Sequence, residues 1–345
     1  MARIRIKDIA AQAGVSASTV SKYLNGHNSE MSAATRERIA DVIERTGYRP
    51  SSVARNLRLD RSRTLGVILA DIRNPYSGAM LEELSSQAGA LGYALTCAIS
   101  GNDPAKEAAA LRRLLESGVD GLVVNTCGDN DAQLLETDRR TPVVLLDRDV
   151  AGSRLDLVTS DNCRLISGLV DEVACGPGMR LHLVTEADPT SSIRRERARQ
   201  FMRELSTRGL SGSTLALPGD ADEAARELSG LARVHTPLGL IAVNGLVFQQ
   251  LVEAIALAGL AVPEQVRLAT FDEYPWNRVL FGGVTTAAQD TRGIAASTLE
   301  RLVGRIDAKA TGTGSADTDD ASGSSAWKPL RIEIPGRIIA RASTR

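Results

Sequence analysis

The chain has 345 residues, which is too long for a single compact domain and indicates two or three folding units. Hydrophobic residues make up 43% of it and aromatic residues only 3%, so its core must be built mainly from aliphatic side chains. Residues 1–63 contain twelve Lys or Arg against six Asp or Glu, a net charge of +6, whereas the whole chain is at −1. A basic segment on an acidic remainder is typical of a protein with a polyanionic partner, although charge alone equally fits a solvated surface.

Cysteine and histidine spacing argues against metal, redox and hydrolytic chemistry. The four cysteines have no zinc or redox spacing, the three histidines lie far apart, and we expect single cysteines to be small buried core residues. Neither a G-x-S-x-G elbow nor a phosphate-binding glycine loop is present, so we expect no enzyme, no cofactor and no metal. No apolar run approaches the roughly 18 residues of a membrane span and no signal region is apparent, which predicts a cytoplasmic protein without membrane contact.

Helical periodicity begins near the N-terminus. Apolar residues at helical spacing form one stripe: Ile6, Ile9, Ala10 and Ala13. Gly14 then breaks the helix, and Ser16 is a good N-cap for a second helix. A third helix is predicted from about Ser32 to Thr46. Two short helices joined by a glycine-containing turn and braced by a third follow the helix-turn-helix plan, so residues 1–49 form an all-α DNA-binding head.

The exposed face of the second helix suits a DNA groove. A recognition helix must enter a major groove about 12 Å wide, and small, hydroxyl-bearing or basic side chains permit this. The residues placed for base edges are Ala17, Ser18 and Lys22. Those suited to phosphate contacts, which set the register, are Thr19, Ser21 and Asn25. A small helical bundle with another purpose is the alternative.

Residues 50–63 predict a hinge helix or a linker. Val53, Ala54 and Leu57 lie on one helical face among arginines, an apolar wedge flanked by basic residues such as minor-groove proteins use. So short a helix is not stable alone and would order only on DNA or on a second copy. A plain basic linker remains the alternative for this segment.

From residue 64 to 345, buried apolar strands alternate with amphipathic helices. This pattern predicts an α/β body with two lobes, each a doubly wound parallel sheet, and a cleft between them. We expect the chain to cross between lobes near 158–162, 286–290 and 326–332. The Gly/Ser/Thr/Asp-rich segment 309–326 is expected to be flexible.

Ligands of such sheets bind at the carboxyl ends of the strands. Polar residues that directly follow predicted strands are Asp71, Asn74, Tyr76, Asn125, Asp147, Arg148, Thr185, Asn244, Asp272 and Glu273. Together they predict a cleft for a hydroxyl-rich ligand. Taken singly, Asp71, Asn74 and Asn125 could equally be helix caps or turn formers.

The stretches "IKDIAAQAGVSASTVSKYLNG" and "TRERIADVIERTGYRPSSVARNLR" resemble the LacI/GalR family of bacterial regulators, and the likeness extends to "ARAST" near the C-terminus. The resemblance implies a periplasmic-binding-protein-like body, a homodimer and a near-palindromic operator. It also implies that Leu57 of two subunits inserts into the minor groove beside Arg58.

For the cleft, the resemblance implies that Arg197 clamps sugar hydroxyls or carboxylates. Further effector contacts implied by it are Asn125, Asp147, Asn244, Asp272 and Gln289. The chain departs from the family at Gly245, where an acid is usual, and at Gln200, where glycine is usual. The missing acid, together with Arg148, Arg195 and Arg197, predicts an effector that carries a carboxylate.

Motifs including "LLDRDVAG", "TSSIRRER" and "FDEYPW" resemble a branch of the family whose repressors respond to 2-ketogluconate and 2-keto-3-deoxygluconate. This resemblance implies that Ser191 and Trp276 lie at the site, with Trp276 stacking near the ligand or closing the cleft; a role in lobe packing is the alternative for Trp276. We therefore expect a repressor of carbohydrate catabolism genes that a sugar acid releases from its operator. A periplasmic-type sugar-binding protein shares the body, and an enzyme of sugar-acid metabolism is a second rival.

Overall fold

The computed structural model describes residues 4–24, 31–48, 61–150, 154–174, 179–186, 191–311 and 328–345. Contacts divide the chain into two compact units, residues 1–62 and 63–345. Five predicted DNA-contact residues lie outside the described residues: Asn25, Val53, Ala54, Leu57 and Arg58. The same holds for most of the predicted hinge, 50–63, and of the predicted flexible segment, 309–326, although Lys309 and Ala310 belong to a helix.

The described part of the first unit contains three helices around an aliphatic core. They are α1 (Ile6–Ala13), α2 (Ala17–Leu24) and α3 (Ala33–Thr46). Gly14 ends α1 with φ at 64°, a left-handed conformation that glycine adopts without strain. The Ser16 hydroxyl accepts a hydrogen bond from the Thr19 amide at 3.1 Å, which confirms it as the cap of α2. The buried core comprises Ile9, Ala10, Ala13, Val20, Ile39 and Val42.

The second unit contains two six-stranded sheets. The strands of the first sheet are β1 (Thr64–Leu69), β2 (Ala94–Ile99), β3 (Gly121–Val124), β4 (Val143–Leu146), β5 (Asp156–Ser160) and β11 (Arg331–Ile334). Those of the second are β6 (Arg180–Thr185), β7 (Ser211–Ala216), β8 (Leu238–Ala242), β9 (Val266–Phe271), β10 (Thr285–Ala288) and β12 (Arg337–Ile339).

Eight helices accompany these strands in the described part of the body. They are α4 (Pro75–Ala90), α5 (Pro104–Glu116), α6 (Asp131–Arg140), α7 (Asn162–Val173), α8 (Ser192–Arg208), α9 (Ala221–Val234), α10 (Gly245–Ala258) and α11 (Thr291–Ala310). None of the described helices is long and apolar enough to cross a membrane.

The two sheets share one strand order, β11-β5-β4-β3-β1-β2 in the first and β12-β10-β9-β8-β6-β7 in the second. All pairings in the first sheet are parallel. The second sheet departs from the predicted all-parallel arrangement because β12 runs antiparallel to β10. Only two residues separate β11 from β12, too few for the crossover that would let β12 enter its sheet in the parallel direction.

The chain passes between the sheets three times. The first two passages lie between β5 and α7, at 160–162, and between β10 and α11, at 288–291. The third lies between β11 and β12, at 334–337, rather than at the predicted 326–332. The difference arises because β11 still pairs with β5 of the first sheet, with Arg331 opposite Leu157. Each lobe therefore receives one strand from the C-terminal segment.

Aliphatic side chains cover both faces of the first sheet, as a doubly wound fold requires. On one face, Met80 and Leu84 of α4 and Leu299 and Leu302 of α11 pack in one buried cluster. On the other, side chains of α5 and α6 such as Leu111 and Leu134 form a second cluster. Side chains of α7 to α10 join a single large cluster about the second sheet.

A buried ion-pair network ties the first sheet to α11. Asp156 is 1% exposed and accepts from Arg301 at 2.5 Å and from the Leu330 amide at 2.8 Å. Arg305 lies 3.4 Å from the same carboxylate and 2.7 Å from Asp138. Because these charges are withdrawn from water, each depends on its partner.

We expect Asp156→Ala to lower the free energy of unfolding of the body by about 2–4 kcal/mol, since it removes the buried carboxylate that the partly buried side chains of Arg301 and Arg305 both contact, although Arg305 keeps its pair with Asp138. Urea unfolding followed by tryptophan fluorescence measures this, because both tryptophans, Trp276 and Trp327, belong to the body. The matched control is Glu136→Ala, which breaks an exposed pair with Arg139 and should cost less than about 1 kcal/mol. Equal effects of the two substitutions would contradict this assignment.

Candidate functional site

The carboxyl ends of equivalent strands in the two lobes carry polar side chains into one cleft. Asn125 follows β3 and Asp147 follows β4 in the first lobe, and Asn244 and Asp272 follow the equivalent strands β8 and β9 in the second. Asp147 and Asp272 both have left-handed backbone conformations, with φ of 64° and 70°. A non-glycine residue held in this region is strained, and such strain is concentrated at functional sites.

One cavity between the lobes gathers most of the predicted effector residues. Its lining contains Asp71, Asn74, Tyr76, Ser77, Asn125, Asp147, Arg148, Ile193, Arg194, Arg197, Asn244, Asp272 and Gln289. Eight of the twelve predicted effector residues are in this set. Asp71 and Asn74, which follow β1, also line the cavity, whereas Thr185 does not.

Arg197 lines the cavity and is 3% exposed. Its Nε donates to Asn162 Oδ1 at 2.7 Å, its Nη1 to the Val243 carbonyl at 2.7 Å and its Nη2 to Gln289 Oε1 at 3.3 Å. The guanidinium carbon also lies 3.7 Å from the ring centre of Phe271, a cation–π contact. Asn162 and Gln289 belong to two interlobe passages, so Arg197 ties these passages to the second lobe.

Arg148 enters the cavity from the first lobe and is 6% exposed. Its Nη1 donates to Asn102 Oδ1 at 2.8 Å and to the Thr126 carbonyl at 3.2 Å. The carbonyl is held in place because buried Glu107 accepts from the Thr126 hydroxyl at 2.9 Å and from the Cys127 amide at 2.7 Å. Burial lowers the pKa of Arg148, and the charge of Arg194 lowers it further.

The structure corrects the prediction for Arg195, which is exposed on α8 and does not line the cavity. Its neighbour Arg194 is buried there instead, paired with Glu186 at 2.8 Å. Helical periodicity explains the difference. Counted from Arg197, the positions three and four residues earlier share its face, and these are Arg194 and Ile193. That signal was present in the sequence.

Three other predicted residues lie outside the cavity lining. Glu273 is bound instead by Arg341 at 2.7 and 2.9 Å and by Arg278 at 3.2 Å, which holds the pKa of its carboxyl group below the usual range against the effect of burial. Trp276 is 39% exposed and stacks on Tyr274 with the ring centres 4.8 Å apart. Ser191 is buried at the start of α8.

The polar groups of the first-lobe wall also support local structure. Asn74 caps α4 by accepting from the Tyr76 amide at 3.3 Å, and Asn125 donates to the Leu146 carbonyl at 2.9 Å. Arg73 binds Asp71 through two hydrogen bonds of 3.0 and 2.8 Å and lowers the pKa of that carboxyl group. Asn244 is both cap and wall residue, because it caps α10 and donates to Glu186 at 2.8 Å.

Several buried polar atoms near the cleft have no hydrogen-bond partner among the described residues. Among them are Tyr76 Oη, Asp147 Oδ1 and Ser191 Oγ. Leaving a buried polar group unpaired costs about 1–3 kcal/mol, so such groups are uncommon in proteins unless they serve a bound molecule. A hydroxyl-rich ligand supplies donors and acceptors of the required kind.

Position 245, where the family resemblance implies an acid, lies at a close contact between the lobes. A Cβ atom on Gly245 would lie 3.3 Å from Pro75 Cδ and from Tyr274 Cε2, and 3.4 Å from Asn74 Oδ1. A side chain at this position would therefore fit tightly against the start of α4 and Tyr274, which would have to shift by a few tenths of an ångström. Sequence reasoning did not select Tyr274, which is buried beside Asp272.

On helix α2, Ala17, Ser18 and Lys22 are exposed, while Thr19 and Ser21 are half-buried. Val20 is fully buried against the other helices and orients the opposite face outward. The Ser16 hydroxyl lies 2.7 Å from that of Ser18 and 2.8 Å from that of Thr19. The predicted base-reading side chains thus share a solvent-facing surface.

No group of three His, Cys, Asp or Glu side chains in the described part of the chain could hold a metal ion. Cys127 is buried, and burial together with Glu107 raises the pKa of its thiol to about 12. Cys97 and Cys163 are exposed, so the expectation that cysteines are buried was wrong for these two.

Comparison with known proteins agrees with this architecture. Residues 5–51 match the family described as bacterial regulatory proteins, lacI family, and residues 179–344 match a periplasmic binding protein-like domain. The chain is 36% identical to the HTH-type transcriptional regulator PtxS of Pseudomonas plecoglossicida, covering 99% of this chain and 96% of that protein. It is 30% identical to the HTH-type transcriptional regulator KdgR of Bacillus subtilis (strain 168), covering 98% and 97%.

Among solved structures, the lac repressor dimer bound to operator and the anti-inducer ONPF superimposes with a TM-score of 0.80 and 21% identity, covering 99% of both chains. The chain thus combines a helix-turn-helix head with a two-lobed binding body, and its curated relatives PtxS and KdgR are named as transcriptional regulators. The chain belongs to the LacI family of bacterial regulators.

The buried carboxyl group of Asp272 generates a pH prediction. Burial raises its pKa to about 6 from an ordinary 3.8, although Arg197 and a 2.5 Å hydrogen bond from Gln289 oppose the shift. Because the folded protein holds this proton more tightly, the group's contribution to stability is complete below pH 3.8 and is lost as the pH rises through about 6.

We expect Asp272→Asn to raise the free energy of unfolding above that of the unsubstituted protein. This increase should be about 2 kcal/mol larger at pH 8 than at pH 4.5. Urea unfolding at both pH values measures the difference, and exposed Asp222→Asn is the control for removing one acid. A gain of the same size at both pH values would show that Asp272 titrates as it does in the unfolded chain.

Proposed function

We propose that this regulator is a homodimeric, sequence-specific repressor of carbohydrate catabolism genes, and that a small sugar acid releases it from a near-palindromic operator. The observation that carries the effector class is the cavity itself. It combines three buried arginines with unpaired buried oxygen atoms, which suits a molecule bearing both an anionic group and hydroxyls. The resemblance to the 2-ketogluconate-responsive branch points the same way.

Release requires that the effector bind the two states of the protein unequally. Residues from both lobes line the cavity, so a ligand that contacts both walls favours the arrangement in which they are close. In this proposal the change in the lobes weakens the docking of the paired segments 50–63 on DNA. Val53, Ala54, Leu57 and Arg58 remain the predicted contacts of that segment, and Asn25 a predicted phosphate contact.

Two-fold symmetry of a dimer implies two half-sites, each read by one α2 helix. Exposed Ala17, Ser18 and Lys22 are proposed to contact base edges, with Thr19 and Ser21 setting the register through phosphates. A periplasmic-type sugar-binding function, which shares the two-lobed body, has no use for such a head.

The test of effector class uses the full-length protein. An operator is first enriched from a random pool of DNA duplexes, and gel-shift titrations are then run with sugar acids, neutral sugars and purines. We expect 2-ketogluconate or a related sugar acid to lower operator affinity at least about tenfold, within the usual range of allosteric coupling. Release only by a purine or only by a neutral sugar would contradict the sugar-acid assignment.

The reading surface is tested by removing one positive charge at two positions of the head. We expect Lys22→Ala to weaken binding to the enriched operator by about 1–3 kcal/mol and to relax its sequence preference, because Lys22 is proposed to contact a base. The control is Lys7→Ala, which removes an exposed charge from α1 and should alter affinity without altering preference. Identical changes in preference would contradict the assignment of α2 as the reader.

A further inference from the structure

The charges of the cavity are unevenly compensated. Among its three arginines, Arg194 forms an ion pair with Glu186, whereas the hydrogen bonds of Arg148 and Arg197 go to amide and carbonyl oxygens. Neither Arg148 nor Arg197 forms an ion pair within the described part of the chain. A buried guanidinium group without a carboxylate is costly, and an incoming anion relieves that cost.

Arg148 and Arg197 differ in the number of N–H donors that they have left for a ligand. All three nitrogens of Arg197 are engaged, and its face lies on Phe271. Arg148 uses Nη1 for both of its hydrogen bonds to Asn102 and Thr126. Its Nε and Nη2 donate to no other described residue, so Arg148 retains donors for a ligand in the cavity it lines.

Arg148 and Arg194 approach the cavity from opposite lobes. Arg148 follows β4 of the first sheet, and Arg194 lies in the first turn of α8 on the second. Both side chains line the same cavity, where the two guanidinium groups repel each other: burial lowers the pKa of Arg148 and the charge of Arg194 lowers it further, while the nearby Asp147 and Glu186 act in the opposite direction. An anion between them replaces repulsion by two attractions and draws the lobes together.

We infer that Arg148 and Arg194 form an interlobe subsite for the carboxylate of the effector, while Asp147 and Tyr76 bind its hydroxyl groups. This assignment rests on the proposed function and adds to it the residues that bind each part of the ligand. Asp147 Oδ1 and Tyr76 Oη are the buried unpaired atoms that a hydroxyl can satisfy. The cavity's three acids, Asp71, Asp147 and Asp272, oppose a second negative charge, so a monoanionic carboxylate suits the subsite better than a phosphate.

Rigid support for this subsite comes from the first lobe. Asn102 Oδ1 and the Thr126 carbonyl fix the Arg148 side chain, and buried Glu107 fixes the Thr126 loop through 2.9 and 2.7 Å hydrogen bonds. Arg148 comes two residues after the end of β4, and Asp147 between them has a left-handed backbone conformation. A charge held in this way is oriented before the ligand arrives, which reduces the entropy lost on binding.

Three ligands that differ only at carbon 1 test the assignment on the full-length protein. 2-Ketogluconate has a carboxylate there, D-fructose a hydroxymethyl group and D-fructose 1-phosphate a phosphorylated one. Calorimetry with the unsubstituted protein should show 2-ketogluconate binding at least about tenfold more tightly than the other two.

The variants are Arg148→Gln, Arg194→Gln and, as matched control, Arg195→Gln, which removes the adjacent exposed arginine of α8. We expect each of the first two to weaken 2-ketogluconate binding at least about tenfold while fructose binding changes little, and the control to leave both unchanged. Arg148→Lys, which keeps the charge, should retain the preference for the acid. If Arg148→Gln does not fold, Arg194→Gln and Arg148→Lys still decide the question.

An undiminished preference for 2-ketogluconate in folded Arg148→Gln and Arg194→Gln overturns this inference and leaves the proposed function intact. Tighter binding of fructose 1-phosphate that depends on both arginines overturns the carboxylate assignment in favour of a phosphate. If the unsubstituted protein binds none of the three but is released from DNA by another sugar acid, the inference fails for this ligand geometry. Release by no sugar acid at all overturns the proposed function as well.

Discussion

The guanidinium group of Arg197, buried where the lobes join, is the interaction on which the geometry of the cleft depends. Its hydrogen bonds reach Asn162 and Gln289, in the passages that follow β5 and β10, and the Val243 carbonyl beyond β8. Gln289 in turn accepts from Ser160 at 2.6 Å and donates to Asp272 at 2.5 Å. A buried charge held by neutral acceptors tolerates few alternative arrangements, so it sets the relative positions of these segments.

Internal symmetry explains why so many polar side chains meet in this cleft. The two sheets have the same strand order, and each directs the carboxyl ends of its strands toward the other. Asp147 and Asp272 follow equivalent strands and share a left-handed backbone conformation. The residues after them diverge, because Arg148 enters the cavity whereas Glu273 is bound by Arg341. Two similar lobes thus line the cavity with different side chains.

The head and the body have different physical requirements. The head has a core of six small or aliphatic buried residues, and α2 presents short polar and basic side chains to solvent, as a groove-reading helix must. The body instead buries three arginine side chains in the cavity between its lobes. A regulator needs both domains, because reading DNA uses exposed charge whereas sensing a ligand between the lobes uses buried charge.

Much of this architecture could be predicted from the sequence because it follows from local rules. Apolar periodicity identified α1 to α3 and the alternating strands and helices, Gly14 and Ser16 marked a helix end and a helix start, and the position of polar residues after strands located the cleft. The recognised motifs were specific enough to identify the family, which the comparisons then confirmed.

Other features were decided only by tertiary contacts. The capture of Glu273 by Arg341 depends on a side chain that lies 68 residues further along the chain. The third passage between the lobes falls after β11 because that strand first pairs with β5, a partner about 175 residues earlier. The sequence alone determined which polar residues follow the ends of strands. Only the folded chain decided which buried charges lack an ion pair among the described residues, because burial and pairing depend on contacts that the local sequence pattern does not contain.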